Sequence, residues 1–180
     1  MSTIQLFFGG TLMLVDKYPW LLEPNFLTLL IRTVLALLCS GMIGYDRDAR
    51  GSAAGMRTHM LVCVGAMIAM CTGVFTAMYY NADAERIGAQ VVSGIGFLGA
   101  GTIMVTRGHI KGLTTAAGLW ASACIGLALG TGFYEAAILG TFAVFFIERT
   151  LRNLSKNIVI KHGHSVEPPP YPEDDTNIET

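Results

Sequence analysis

Residues 58–80 read THMLVCVGAMIAMCTGVFTAMYY and contain no Asp, Glu, Lys or Arg. About 20 consecutive apolar residues are enough for an α-helix to cross the hydrocarbon core of a bilayer. The whole chain has the same character, since 52% of its residues are hydrophobic and 14% are charged, against about 25% charged in soluble domains. The stretch therefore predicts a transmembrane helix, and the composition excludes an ordinary soluble domain.

Four further apolar runs flank this stretch, at residues 26–45, 87–105, 114–131 and 133–147. We therefore predict an all-α membrane bundle of five spans within a domain covering residues 26–150. The lipid bilayer is accordingly a predicted partner of the chain. Residues 1–25 contain the run IQLFFGGTLMLV, which is about half a span long and is interpreted as an interfacial or re-entrant segment. Residues 151–180 are basic and then proline-rich and acidic, a pattern typical of a disordered tail.

Lysine and arginine predict the orientation of the bundle. Three regions on one side of a five-span chain are basic: residues 45–58, residues 105–114 and the tail. The opposite side has only Lys17 and Arg86. Cytoplasmic loops carry the excess of positive charge, so we expect the N-terminus outside and the C-terminus in the cytoplasm.

Several function classes find no support in the sequence. The net charge of −1 gives no indication of a nucleic-acid partner. The four cysteines lie inside apolar runs without C-x-x-C spacing, so neither a zinc site nor a disulfide framework is predicted. No nucleophile–base pair stands out either, so we do not expect an enzyme.

Residues 94–101 read GIGFLGAG and contain the pattern G-x-G-x-x-G of a dinucleotide-binding turn. Such a turn follows a strand, opens a helix and has an acidic residue about 20 positions further on. Here the glycines lie inside an uncharged run, and the next acidic residue is Glu135. A nucleotide site is therefore rejected.

Small residues instead recur at helical spacing in four spans. Because lipid is as apolar as leucine, membrane helices associate through close packing, which small residues permit. In span 3 we expect the closest helix contact of the bundle, with Gly94, Gly96, Gly99 and Gly101 as packing residues; the alternative is a break in this helix that exposes backbone for ion binding. The four ridges are Ala36, Ser40, Gly44; Gly65, Ala69, Gly73, Ala77; Ala89, Ser93, Gly96, Ala100; and Gly118, Ser122, Gly126, Gly130.

Two cytoplasmic loops share a motif. RGSAAGMRT (residues 50–58) and RGHIKGLTT (residues 107–115) both fit R-G-x-x-x-G-Φ-x-T, where Φ is apolar, and each leads into a span. This predicts an internal repeat of two parallel hairpins, spans 1–2 and spans 3–4, related by an axis along the membrane normal. Chance similarity is the alternative, because glycine and threonine are common where helices begin.

The repeated loops are also a candidate anion or acidic-partner surface. We expect Thr58 or Thr115 to cap its helix, and helix N-termini attract anions. The alternative is that the cations only obey the positive-inside rule. The residues concerned are Arg50, Arg57, Thr58, Arg107, Lys111, Thr114 and Thr115.

Asp46 and Asp48 follow span 1, where the helix dipole disfavours carboxylates. Something should offset that cost. A salt-bridge cluster with Arg47, Arg50 and Arg57 is one interpretation. The other is a Mg²⁺ ion, which one or two carboxylates hold while its waters are retained.

Arg32 is the one charge inside a span, and an ionisable residue there is a functional candidate by default. Its predicted partners are Glu135, Asp83 or Glu85, and the alternative is snorkelling to the interface. Gln90 and Ser93 in span 3 are polar, so we expect both to face protein.

Three blocks carry a resemblance: GYDRDARGSAAGMRTHMLVCVGA, QVVSGIGFLGAGTI and IKGLTTAAGLWASACIGLALGTG. Together they are similar to the membrane domain of the MgtC/SapB family, over residues 26–147. The resemblance implies an inner-membrane protein with five spans, linked to growth at low magnesium and to survival of pathogens in host cells. It also implies partners in the membrane, ATP synthase among them, whereas Mg²⁺ transport is not an established activity of the family.

Two departures from the family pattern stand out. Asp46 and Asp48 occupy positions where the family usually has glutamates, and we expect no soluble ACT-like domain after the spans. The leading hypothesis is a regulator of membrane partners in magnesium or stress adaptation, with a homo-oligomer left open. The alternative is a Mg²⁺ or proton transporter with a path along Arg32, Gln90, Ser93 and the two aspartates. His59 in the first block completes the set of candidate site residues.

Overall fold

A computed structural model describes residues 18–23, 25–106 and 109–151 of the chain. The predictions for the N-terminal run, for Arg107 and for the tail beyond residue 151 lie outside the described residues. The domain boundaries at residues 25 and 150 therefore stay predictions.

Five α-helices make up most of the described chain, which confirms the predicted helical bundle. A 3-10 turn precedes them at Pro19–Leu21, and a π-helical turn, Ile147–Leu151, continues the last one. Three of the helices (α1, α2 and α4) are long and apolar enough to cross a membrane by length and composition. The helices are α1 (Phe26–Asp48), α2 (Met56–Tyr80), α3 (Ala84–Gly101), α4 (Leu113–Thr131) and α5 (Tyr134–Phe146).

The third helix ends earlier than its apolar run. Instead of continuing to Val105, α3 ends at Gly101, and a short antiparallel hairpin follows. Its strands are β1 (Met104–Thr106) and β2 (His109–Lys111), with Val105 opposite Ile110. β-Branched residues favour strands, and hydropathy alone does not distinguish an apolar strand from the end of an apolar helix.

Glycines, not threonines, begin the two helices that follow the repeated loops. Gly55 is the N-cap of α2 and Gly112 that of α4, and a glycine has no side chain with which to cap its own helix. Gly112 has a φ of 94°, and a Cβ there would lie 1.9 Å from the Thr102 carbonyl oxygen. The prediction that Thr58 or Thr115 caps its helix is therefore wrong. Both threonines are the third residue of their helix, because the glycine three positions earlier already takes the cap position.

Helices α2 and α4 form the centre of the bundle. A Cβ on Gly126 of α4 would lie 2.2 Å from the Cys63 carbonyl oxygen of α2, and one on Gly130 would lie 2.7 Å from that of Met67. The backbones thus meet without room for a methyl group. Ala36, Cys63, Met67, Leu129 and Ala137 bring α1 and α5 into the same core.

Helix α3 lies at the edge of the bundle and contacts α2 and α4 through Gly88, Ile95 and Gly99. Of the four predicted packing glycines, Gly99 faces another helix, since a Cβ added there would lie 3.5 Å from the Ala116 Cβ of α4. A Cβ on Gly94, Gly96 or Gly101 would meet nothing within 4 Å. The closest helix contact was therefore assigned wrongly: small residues line both faces of α3, so composition did not identify the buried one.

The helix is also continuous from Ala84 to Gly101, so the predicted alternative of a break within GIGFLGAG is wrong. By contrast, the small-residue ridges of α1 (Ala36, Ser40, Gly44) and α4 (Gly118, Ser122, Gly126, Gly130) are fully buried. The ridge of α4 approaches the backbone of α2 at Gly126 and Gly130, and the ridge of α1 approaches it at Gly44.

The helix contacts have the pattern that the two-hairpin repeat predicts. Helix α1 packs on α2 and α4, and α3 packs on α4 and α2, so each hairpin packs its first helix on both central helices. Helix α5 packs on α1 and α4 and has no counterpart beside α3. The superposition of the hairpins themselves stays a prediction.

Candidate functional site: two buried charge clusters

Charged side chains from both ends of the sequence meet where α1 ends. Arg47 lies 8% exposed, with its Nη1 3.8 Å from Glu148 Oε1 in the π-helical turn and its Nη2 donating to Thr115 Oγ1 of α4 at 2.7 Å. Arg50 pairs with Asp46 one helical turn earlier and donates to the Glu148 carbonyl at 2.8 Å. We call Asp46, Arg47, Arg50, Thr115 and Glu148 the Arg47 cluster.

The Arg47 cluster is balanced in charge but incompletely hydrogen-bonded. Two carboxylates face two guanidinium groups. Nevertheless, Asp46 Oδ2, Arg47 Nε and Glu148 Oε2 are buried and have no hydrogen-bond partner within the described residues. Buried polar atoms without partners are costly. The cluster therefore connects α1, α4 and the π-helical turn after α5, and three of its buried polar atoms have no hydrogen-bond partner within the described residues.

Glu148 is the titratable member whose environment is most clearly altered. Burial raises the pKa of its carboxyl group, Arg47 lowers it, Asp46 raises it and Arg50 lowers it, and the net direction is upward. Desolvation thus outweighs the two cations, because burial penalises the charged form. Glu148 lies just beyond the last apolar run, and we expect the stability of this end of the bundle to depend on pH.

His59 connects this region to the centre of the bundle. Its Nδ1 lies 2.8 Å from Ser122 Oγ of α4, and both residues are completely buried. A Cβ on Gly118 would lie 2.8 Å from Glu148 Oε1 and 3.3 Å from His59 Cε1, so both side chains occupy the space that this glycine leaves. The absence of a side chain at Gly118 therefore leaves room for His59 and Glu148 beside α4.

Asp48 does not share the site of Asp46. It is exposed, and its Oδ2 accepts from the Met56 backbone N–H at 2.9 Å, so its carboxylate caps α2. Within the described residues no group of three or more His, Cys, Asp or Glu side chains could hold a metal ion. The two aspartates take different partners, which favours the salt-bridge interpretation for Asp46 over a Mg²⁺ ion between the two.

The predicted anion surface is only partly assembled. Arg50 belongs to the Arg47 cluster, whereas Arg57, Thr58, Lys111 and Thr114 are exposed. Arg57 and Thr58 lie with Asp48 and Gly55 around a surface depression. Loop cations at this end thus divide into buried structural ones and solvent-facing ones.

Arg32 is 1% exposed, and its acceptors among the described residues are all uncharged. Its Nη1 donates to the Gly130 carbonyl at 2.7 Å and to Cys71 Sγ at 3.6 Å, and its Nη2 donates to the carbonyls of Leu21 and Leu22 at 2.9 and 3.3 Å. Its Nε donates to Tyr134 Oη at 3.2 Å. We call these groups the Arg32 cluster.

None of the carboxylates predicted as partners of Arg32 is among these acceptors, so those pairings are wrong. The reason is geometric: the Gly130 carbonyl at the end of α4, the Tyr134 hydroxyl at the start of α5 and the carbonyls of Leu21 and Leu22 already surround the guanidinium. Asp83 instead caps α3 by accepting from the Glu85 backbone N–H. The alternative of snorkelling is excluded as well, because the guanidinium is buried.

Gln90 and Ser93 are exposed on the outer face of α3. Neither residue therefore faces another helix of the described chain, and the expectation that both face protein rather than lipid stays a prediction. As with the glycines, α3 contacts α2 and α4 through its opposite face, which contains Ile95.

Sequence reasoning missed Glu148, Tyr134 and Ser122. One signal was available for Glu148: like Asp46, it is an acidic residue at the C-terminal end of an apolar helix, where the dipole disfavours it. Ser122 was predicted only as a packing residue of its ridge, and nothing marked Tyr134; the partners of both lie on helices that are distant in sequence.

The sequence profile of the MgtC family matches residues 33–157. The chain is 38% identical over 141 residues to a protein of Escherichia coli (strain K12) named "Putative magnesium transporter YhiD", covering 75% of this chain and 66% of the relative. It is 41% identical over 121 residues to Protein MgtC of Brucella abortus (strain 2308), covering 66% and 49%. It is 40% identical over 130 residues to Protein MgtC of Salmonella typhimurium (strain 14028s / SGSC 2262), covering 72% and 54%. The chain thus spans less than two thirds of the length of these relatives, and no solved structure matches it.

Proposed function

The chain belongs to the MgtC family, and we propose that it serves magnesium-related adaptation by binding other membrane proteins, without conducting an ion itself. One relative is named for magnesium transport, and others bear the family name. The proposal includes the bacterial inner membrane as its location, with the N-terminus outside and the C-terminus in the cytoplasm.

The observation that carries the proposal is the contact between α2 and α4. At Gly126 and Gly130 the two central helices meet backbone to backbone, closer than a methyl group allows. Membrane transporters bind ions where helices are unwound or line a hydrated cavity. A contact this close supports a packed scaffold and argues against an ion path between the two central helices.

The polar residues of the alternative transport path also lie apart. Arg32 bonds the ends of α4 and α5, whereas Asp46 pairs with Arg50 at the opposite end of α1. Gln90 and Ser93 lie on the outer face of α3. Polar groups that line a pathway should face a common interior, and these four do not.

The outer face of α3 is the candidate surface for a partner helix. It has open space beside Gly94, Gly96 and Gly101, and it exposes Gln90 and Ser93 together with Phe97, which is 84% exposed. Small residues permit close approach of a second helix, and polar side chains hydrogen-bond across such contacts. Other membrane proteins, ATP synthase among them, and a second copy of this chain are the proposed classes of partner.

Site-specific photo-crosslinking in native membranes tests this surface. A photoreactive residue at position 93 should give a discrete adduct under magnesium limitation, and the mass of the adduct separates a second copy from another protein. The matched control is position 139 on α5, where Leu139 is 69% exposed, and we expect little adduct there. Equal adducts at both positions would refute the α3 surface.

Flux through the purified protein tests the other half of the proposal. Liposomes containing the chain should show no Mg²⁺ or proton flux above empty liposomes. Flux that the double variant Asp46→Ala, Asp48→Ala abolishes would overturn the proposal in favour of a transporter.

A further inference from the structure

A groove of about 370 Å³ lies between α1 and α2 beside Arg32. Its walls are apolar and include Phe26, Leu29, Ile68 and Phe75, which are between 43% and 83% exposed. Pockets that hold small ligands usually have volumes of about 300–1,000 Å³, apolar walls and a few polar groups. This groove has those properties and opens sideways from the bundle.

Arg32 contributes a buried positive charge to the groove, and within the part of the chain that the structure describes no carboxylate is among its contacts. A charge in surroundings of low dielectric constant is costly unless an opposite charge compensates it. The carbonyl of Gly130 offsets part of that cost, because the C-terminal end of a helix carries a partial negative charge. The remaining positive charge favours an anion.

The weakest hydrogen bond of Arg32 lies on the groove side. Cys71 lines the groove, and its sulfur accepts from Arg32 Nη1 at 3.6 Å, whereas the Gly130 carbonyl accepts from the same nitrogen at 2.7 Å. Thiols are weak acceptors. An anionic oxygen in the groove would therefore be a stronger acceptor for this N–H group.

The level of Arg32 in the bundle indicates where the anion comes from. Arg32 bonds to Gly130 at the end of α4 and to Tyr134 at the start of α5, so it lies level with the turn that joins these helices. A lipid-exposed turn cannot lie in the hydrocarbon core, since its backbone groups would be unsatisfied. The turn, and Arg32 with it, therefore belongs to the headgroup region, where the phosphates of the bilayer lie.

We infer that this groove binds one anionic lipid, with its phosphate beside Arg32 and an acyl chain against the apolar walls. The inference is independent of the proposed function, because a regulator or a transporter could equally hold such a lipid. The walls distinguish a lipid from a free phosphate ion, for which apolar surface offers no favourable contact.

Native mass spectrometry of the full chain, with added lipid of defined headgroup, tests the inference. We expect phosphatidylglycerol to bind at least ten-fold more tightly than phosphatidylcholine with the same acyl chains. Thr72→Phe fills the groove and should remove most of this preference, while leaving Arg32 in place. Thr33→Phe is the matched control: both threonines donate to the carbonyl four residues earlier, at 2.9 and 2.8 Å, but Thr33 does not line the groove.

Each result decides the question. Equal binding of the two lipids, or an unchanged preference in Thr72→Phe, would overturn the inference. Inorganic phosphate that displaces phosphatidylglycerol at equal concentration would assign the groove to a small anion and overturn the lipid as its occupant. A preference retained in Thr33→Phe and lost in Thr72→Phe would support it.

Discussion

The two ends of the bundle hold buried arginines in opposite ways. In the Arg32 cluster, a fully buried guanidinium donates to carbonyls, a phenol and a thiol. In the Arg47 cluster, two guanidinium groups face two carboxylates. One cluster thus has an uncompensated charge with every donor engaged, and the other has balanced charge with several polar atoms unbonded.

This difference indicates which end is rigid and which can respond to conditions. Arg32 connects α1 to the end of α4 and the start of α5, and three of its acceptors are backbone carbonyls, which carry no titratable proton. The Arg47 cluster depends on a carboxyl group whose pKa burial raises. We therefore expect the Arg32 end to contribute constant stability and the Arg47 end to change with pH.

Among these variants, removal of Arg32 should cause the largest loss in the free energy of unfolding. Arg32→Met removes the guanidinium that donates to the Leu21, Leu22 and Gly130 carbonyls and to the Tyr134 hydroxyl. The Tyr134 hydroxyl still donates to Leu21, but the other groups lose their strongest donor, so we expect a loss of about 3–5 kcal/mol in the free energy of unfolding. Denaturant titration in micelles would measure it. Arg57→Met, at an exposed arginine, is the control and should change stability by less than about 0.5 kcal/mol. A loss as small as that of the control would show that the Arg32 cluster is dispensable.

The contact between α2 and α4, which lies between the two clusters, should be the next most sensitive to substitution. Gly126→Ala places a methyl group 2.2 Å from the Cys63 carbonyl oxygen, so overpacking should cost about 2 kcal/mol. Gly96→Ala on α3 meets nothing within 4 Å and should be neutral or stabilising, because alanine favours a helix over glycine. Equal losses in the two variants would mean that α3 is packed as closely as α4.

The repeated loops offer a matched pair of threonines at the Arg47 end. Thr115→Ala removes the acceptor of Arg47 Nη2 and should cost about 1.5 kcal/mol, the lower range for a hydrogen bond to a charged group. Thr58→Ala, at the equivalent third position of α2, changes an exposed side chain and should cost far less. If the two losses are the same in thermal unfolding, the pairing of Arg47 with Thr115 contributes nothing.

The pH dependence of the free energy of unfolding should show the smallest difference between the two clusters. The pKa of Glu148 is raised in the folded protein, so between its unfolded and folded pKa the native state binds more protons. Stability from this group therefore rises as pH falls through that window, by at most about 1.4 kcal/mol per pH unit. Glu148→Gln should flatten this slope, and Glu85→Gln, at an exposed glutamate, should leave it. A steeper slope in Glu148→Gln would contradict the assignment.

The amino-acid sequence by itself determined the class of the fold and most helix boundaries. Long apolar runs admit little besides membrane helices, and helix α1 begins at Phe26 and α2 ends at Tyr80 as the runs predict. The same local property ruled out a nucleotide loop at GIGFLGAG, since a glycine pattern inside an uncharged run lacks the strand and the acidic residue that such a loop requires.

Tertiary structure alone decided which residues form the candidate sites. Arg47 meets Glu148, and Arg32 meets Gly130 and Tyr134, across about a hundred residues of chain. Small residues line α3 as they line α4, yet only the ridge of α4 is buried, because α4 lies at the centre of the bundle and α3 at its edge. Hydropathy and spacing depend on neighbours in sequence, whereas burial and pairing depend on neighbours in space.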